Sequence, residues 1–139
     1  MNEQANTALI QSMYAAFGRG DIRFIADHLA SDIEWTLEGP ETIPYAGRRH
    51  GVDQVLGFFH AMTTTLTGPK LTITDILAQG DKVAAFGRFA ATVTVTGKRF
   101  DSQVAHLFQI RDGKVSNLVD VVDTAAEAEA YRAPEAAVG

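Results

Sequence analysis

The chain has 139 residues, 46% hydrophobic and 21% charged, with no cysteine and a formal net charge of −5. That length supports one domain with its own core, and the missing thiols exclude disulfides, thiolate nucleophiles and zinc–sulfur sites. Residues 123–139 carry −3 of the charge (four acids against Arg132), and the longest basic cluster elsewhere is Arg48-Arg49-His50, so nucleic acid is not expected as a partner.

Ala8, Leu9, Met13, Ala16 and Phe17 recur near i, i+4 and i+8 and predict an amphipathic helix over residues 3–18. Gly18 and Gly20 flank a break of the kind that ends helices. Asp21 is an N-cap for a short second helix whose stripe is Ile22, Ile25 and Leu29. Ile33, Trp35 and Leu37 then alternate with Glu34, Thr36 and Glu38, the period of a half-buried strand. Pro40, Pro44 and Gly47 mark residues 39–49 as a loop with at most a short strand. A third helix is predicted over residues 51–66, with Val52, Val55, Leu56, Phe59 and Met62 on one side.

From Lys70 the period is two, and strands are predicted over 70–79, 82–96, 99–110 and 114–122. Gly80-Asp81, Gly97-Lys98 and Asp112-Gly113 separate them as hairpin turns. Asp123 caps a last Ala/Glu-rich helical turn, and residues 132–139 are expected to be a frayed tail. Residues 1–139 therefore form a single α+β domain, with three N-terminal helices packed on a curved, mostly antiparallel sheet. No run reaches the roughly 18 apolar residues of a membrane span. The N-terminal Met-Asn-Glu-Gln-Ala-Asn lacks the basic and apolar regions of a secretory signal. A cytoplasmic location is the expectation, and a reducing compartment suits a chain without cysteine.

The motifs Tyr14-Ala-Ala-Phe-Gly-Arg-Gly-Asp21, Ser31-Asp-Ile-Glu-Trp35, Pro44-Tyr-Ala-Gly47 and Gly51-Val-Asp-Gln-Val-Leu-Gly-Phe-Phe59 resemble the nuclear-transport-factor-2-like superfamily. Within it they are most similar to SnoaL-like polyketide cyclases and ketosteroid isomerase-related proteins. Phe108-Gln-Ile-Arg-Asp-Gly-Lys-Val115 and Asp120-Val-Val-Asp-Thr-Ala-Ala126 extend the resemblance into the C-terminal half. It implies a cone-shaped α+β barrel around a deep, mostly apolar pocket, and a homodimer paired through the outer sheet face. Val93, Val95, Val115 and Val119 are the candidates for that face.

Strand parity then names the lining. Ile33, Trp35 and Leu37 share a face, as do Ser102, Val104, His106, Phe108 and Ile110, and as do Leu118, Asp120 and Val122. A carboxylate held among Leu and Val can give and take a proton near neutrality. The resemblance makes Asp120 the acid/base of SnoaL-type cyclases; the plainer reading is a strand-end residue bonded to a loop amide. His106 falls where ketosteroid isomerase has an oxyanion donor. It is open to three roles: donor to a substrate oxygen, proton partner of Asp120, or core histidine bonded to a backbone carbonyl. Tyr14 falls at that isomerase's tyrosine donor. Leu37 stands where the isomerase has its basic aspartate, which argues against steroid isomerisation by that route.

Limonene epoxide hydrolase uses an Asp-Arg-Asp relay, of which Arg88 and Asp120 match two members while Ala90 replaces the third. Arg88 is open to binding a substrate oxygen or to pairing with Asp120. Trp35, Leu37, Tyr45, Phe59, Phe108 and Leu118 are the candidate substrate-binding residues, with Trp35, Tyr45 and Phe58 or Phe59 shaping an aromatic mouth. The four histidines have no ligand spacing, and neither a metal site nor a cofactor is expected. The function these readings imply is cofactor-free acid/base catalysis on a small apolar, oxygenated molecule: cyclisation, isomerisation, dehydration or epoxide opening. A binding or carrier protein with the same pocket is the alternative. A protein-interaction role like that of nuclear transport factor 2 has only the shared fold behind it.

Overall fold

Helix α1 (Glu3–Gly18) starts where the Asn2 side chain accepts a hydrogen bond from the Ala5 amide at 2.6 Å. It buries Asn6, Ile10, Met13 and Ala16, one turn-spaced stripe, and leaves Ala8 exposed. At its end the Asp21 amide bonds the Ala16 carbonyl at 2.8 Å, and the Asp21 carboxylate caps the six-residue α2 (Ile22–Asp27) through the Phe24 amide. Strand β1 (Leu29–Leu37) follows, then β2 (Gly47–His50), helix α3 (Val52–Thr65), and strands β3 (Leu66–Gln79), β4 (Lys82–Val93), β5 (Arg99–Arg111) and β6 (Lys114–Val122). Helix α4 (Thr124–Tyr131) ends the sequence of elements, with Asp123 accepting from the Ala126 amide as its cap. This computed structural model describes residues 2–133; the rest of the expected frayed tail, from residue 134, lies outside them.

The six strands form one sheet in the order β2-β1-β6-β5-β4-β3, with β1 parallel to β6 and every other pair antiparallel. The sheet stays open at β2 and β3, and the helices complete the cone. Bulges at Thr67/Lys70 and Ile73/Asp75 in β3 and at Gln109/Ile110 in the β5–β6 pair supply its curvature. Asp112 and Gly113, at φ 53° and 75°, make the two-residue turn between β5 and β6. Gly87 is required for a different reason: a Cβ there would lie 2.0 Å from the Thr72 carbonyl oxygen of β3.

The concave face of the sheet meets α1, α2 and α3 across a core that includes Ile10, Ile33, Val55, Phe58, Val83 and Phe89. Two of the valines expected on the outer face belong to this core. Val93 is buried because it continues the inward series Val83, Ala85, Phe89 and Ala91 along β4. Val115 is buried because the bulge between Gln109↔Asn117 and Ile110↔Val115 inverts its parity. Val119 is exposed on the outer face as expected, with Leu77, Phe86, Leu107 and Val121 beside it, whereas Val95 is exposed in the turn after β4 and not on the sheet.

Candidate active site

Three elements deliver the polar groups of the site. In the β5–β6 ladder His106 lies directly opposite Asp120, and both point to the concave side. Helix α1 brings Tyr14 over them, because Tyr14 is next to the buried Met13 on the face turned to the sheet. His106 Nδ1 is 2.6 Å from the Tyr14 hydroxyl, and His106 Nε2 is 3.1 Å from Asp120 Oδ1. The rings of Tyr14 and His106 stack at 5.8 Å between centroids. His106 and Asp120 keep only 10% and 8% of their side-chain exposure, so the pair is screened from bulk water.

The approach of Nε2 to Oδ1 is too oblique for a hydrogen bond, and Oδ1 is a buried oxygen without a partner. The Tyr14 hydroxyl keeps its proton: burial raises its pKa, and the charge of Asp120 adds to that. The carboxylate 3.1 Å from Nε2 favours the tautomer with its proton on that nitrogen, which leaves Nδ1 to accept from the Tyr14 hydroxyl. Asp120 is thus neither a strand-end cap nor bonded to a loop amide, and His106 is not tied to a backbone carbonyl.

Around this chain lies a cavity of about 70 Å³, room for several waters and on the scale of one small ring. Trp35, Leu37, Tyr45, Phe59, Phe108 and Leu118 all line it, and both Phe58 and Phe59 do so. Tyr45 lies deep rather than at the mouth: it is 1% exposed, and its hydroxyl donates to Glu127. A surface groove shares Tyr14, Phe17, Met62 and Leu71 with the cavity and continues over Gly18, Gly20 and Lys70. That groove is the mouth, built by the α1–α2 break, the end of α3 and the start of β3.

Arg88 is a correction. It projects from the outer face of β4, half exposed, and pairs with Asp101 at 2.8 Å rather than with Asp120. Alternation explains it, since Lys82, Phe86 and Arg88 share the exposed parity while Val83, Ala85 and Phe89 face inward. His50 and His60 are exposed, and His28 is half-buried with Nδ1 on the Phe24 carbonyl. Among the described residues no three His, Asp or Glu side chains come together as a metal site would require. No described helix is long and apolar enough to cross a membrane.

One group was not anticipated. Glu127 of α4 is fully buried, lines the cavity, and has Oε1 bonded by Tyr45 and Oε2 without a partner. Burial raises its pKa to about 7, against the Tyr45 and Ser102 hydroxyls, while the charges of Asp120 and Asp123 push the same way as burial. A faint signal exists in the sequence: Glu127, Ala130 and Tyr131 fall at i, i+3 and i+4 on one helix face. Trp35 Nε1 is a third unpartnered polar atom on the cavity wall.

An α+β cone with a polar cluster inside an apolar cavity defines the nuclear-transport-factor-2-like class. A nuclear-transport-factor-2-like protein from Burkholderia thailandensis superposes at a TM-score of 0.85, with 27% identity, covering 95% of this chain and 99% of that one. Residues 10–118 match the SnoaL-like domain, and the chain belongs to that family. TerC, co-crystallised with polyporic acid, is similar at a TM-score of 0.82 and 30% identity, covering 91% of this chain and 98% of its own. An uncharacterised protein of Mycobacterium tuberculosis is 28% identical over 133 residues, 94% of this chain and 98% of that protein.

Proposed function

We propose that this protein is an acid/base enzyme that moves a proton on a small, mainly apolar, oxygenated molecule held in the cavity, with Asp120 as the base. The observation behind this reading is the unpartnered Oδ1 of Asp120, buried beside a Tyr14–His106 pair in an otherwise apolar hollow. A carboxylate so placed can lift a proton from carbon next to a carbonyl. His106 presents its Nε2 proton to that carboxylate at 3.1 Å and so favours its ionised, basic form, while Tyr14 fixes the ring. Nδ1 is taken by Tyr14 and the Nε2 proton faces Asp120, so His106 acts here on the carboxylate rather than as donor to the substrate. Cyclisation, isomerisation and dehydration share this proton-removal step. TerC's co-crystal with polyporic acid supports an organic small molecule as the occupant.

The step is measurable without the natural substrate. Wild-type protein should speed exchange of the ring α-protons of cyclohexanone in deuterium oxide, followed by proton NMR, and Asp120→Asn should lower the accelerated rate about 10²- to 10⁴-fold. Equal rates in the two proteins would remove Asp120 as the base. Exchange no faster than in buffer would favour the carrier reading.

The outer sheet face supports a homodimer. Leu77, Leu107 and Val119 lie in one cross-strand row through Ala84, and Phe86 and Val121 in the next through Ala105, all exposed except the two alanines. Light scattering should give twice the chain mass at micromolar concentration, and Leu107→Lys should shift it toward one; a wild-type monomer contradicts the pairing.

A further inference from the structure

The Asp120 cluster leaves the other half of a proton-transfer reaction unprovided for. Removing a proton next to a carbonyl builds negative charge on the carbonyl oxygen, and that oxygen needs a donor in the cavity. The Nε2 proton of His106 faces Asp120, Tyr14 spends its proton on His106, and the unpartnered Trp35 Nε1–H can bond an oxygen but cannot transfer its proton to it. Glu127 meets the requirement. It is 0% exposed, stands on the wall of the same cavity, and holds one oxygen, Oε2, without a hydrogen-bond partner. Tyr45 donates to Oε1, so a proton on the carboxyl group resides on Oε2, the free oxygen.

Burial and the charges facing Glu127, Asp120 from β6 and the cap Asp123, favour its neutral form, against the hydroxyls of Tyr45 from the loop before β2 and Ser102 from β5; Tyr131 from its own helix is also close, and no cation is among these groups. Both tyrosines are themselves pushed up by burial and stay protonated. A buried carboxyl without a cation is expensive to ionise and suited to holding a proton near neutrality.

We propose that Glu127 is a second substrate-touching acid of this cavity, giving its proton to the carbonyl oxygen of a compact ketone whose α-carbon yields a proton to Asp120. The proposal rests on the reading of Asp120 as base. The step balances: the C–H pair becomes the new C=C bond, the C=O π pair moves to oxygen, and that oxygen takes the Glu127 proton. The products are the enol, protonated Asp120 and ionised Glu127, and the reverse transfer to a different carbon completes an isomerisation.

The test is the infrared carbonyl stretch of ¹³C-labelled cyclohexanone bound to the whole protein at millimolar concentration, read beside the deuterium exchange. In wild type the stretch should be lowered at pH 5, where Glu127 donates, and return to its unperturbed position by pH 9. Glu127→Gln keeps the Tyr45 bond and presents an amide N–H, so the lowered stretch should persist at both pH values while exchange falls about tenfold or more. Glu127→Leu should abolish the lowering. Asp120→Asn should lose exchange and keep the infrared pattern. A wild-type stretch that is not lowered, or that does not change with pH, overturns the role of Glu127. Exchange at the buffer rate with the infrared pattern intact overturns the Asp120 reading instead and leaves Glu127 as the carbonyl donor.

Discussion

Two acid–base pairs sit on neighbouring strands of one sheet, on opposite faces. Arg88 and Asp101 meet at 2.8 Å on the outer face, each 55% exposed, while His106 and Asp120 meet at 3.1 Å on the inner face at 10% and 8%. The outer pair is the better hydrogen bond and the less consequential one. Water screens it and would solvate either partner left alone. The inner pair is poorly aligned, yet it is shut away from water with Tyr14 as the other polar group at hand, so neither partner can be removed cheaply. Exposure, not distance, decides what each pair is worth.

Breaking the inner pair gives the largest expected effect. His106→Leu leaves the Asp120 carboxylate buried beside apolar walls and should cost about 3 kcal/mol in denaturant unfolding. Adding Asp120→Leu should return most of that loss, whereas a double variant no more stable than the single would mean that the pair itself holds the fold together. Next comes the buried acid with no cation at all. Glu127 rises from its ordinary 4.5 to about 7 in the folded chain, so the folded state holds a proton that the unfolded state gives up. Its stabilising contribution is complete below about pH 4.5, declines as pH rises to 7, and is spent above that. Relative to Glu127→Gln, wild type should therefore lose about 3 kcal/mol over that window, and parallel stability curves for the two proteins would contradict the assignment. The smallest effect belongs to the outer pair: Arg88→Ala should shift the unfolding midpoint by no more than about 0.5 kcal/mol and leave α-proton exchange unchanged.

The contrast also shows where the sequence was readable. Alternation along β5 and β6 placed Val104, His106, Phe108, Leu118 and Asp120 on one side, because a strand buried on one face writes its parity into its residues. The same alternation along β4 set Arg88 with Lys82 and Phe86 on the outside; likeness to an arginine relay in a distant relative pointed the other way, and parity was the better guide. Val115 was illegible for a local reason, since a bulge is one unpaired residue and leaves no mark in composition. The parallel pairing of β1 with β6 joins residues about 80 positions apart, and nothing within either strand announces its neighbour. Glu127 was the hardest to read. In Thr-Ala-Ala-Glu-Ala-Glu-Ala-Tyr the apolar positions are mostly alanine, so the buried and exposed faces of α4 look alike, and Glu127 and Glu129 differ only in what tertiary packing brings against them.

Tyr14 belongs to both the mouth groove and the inner wall, and Glu127 belongs to the wall alone. On the proposed function, a molecule entering by that groove would pass the tyrosine ring before it reached the carboxyl group. Guests with a greasy leading edge would stall against an unmet acid, whereas those that travel oxygen-first would seat fully, so the order of passage would sort them by which end carries the polar atom.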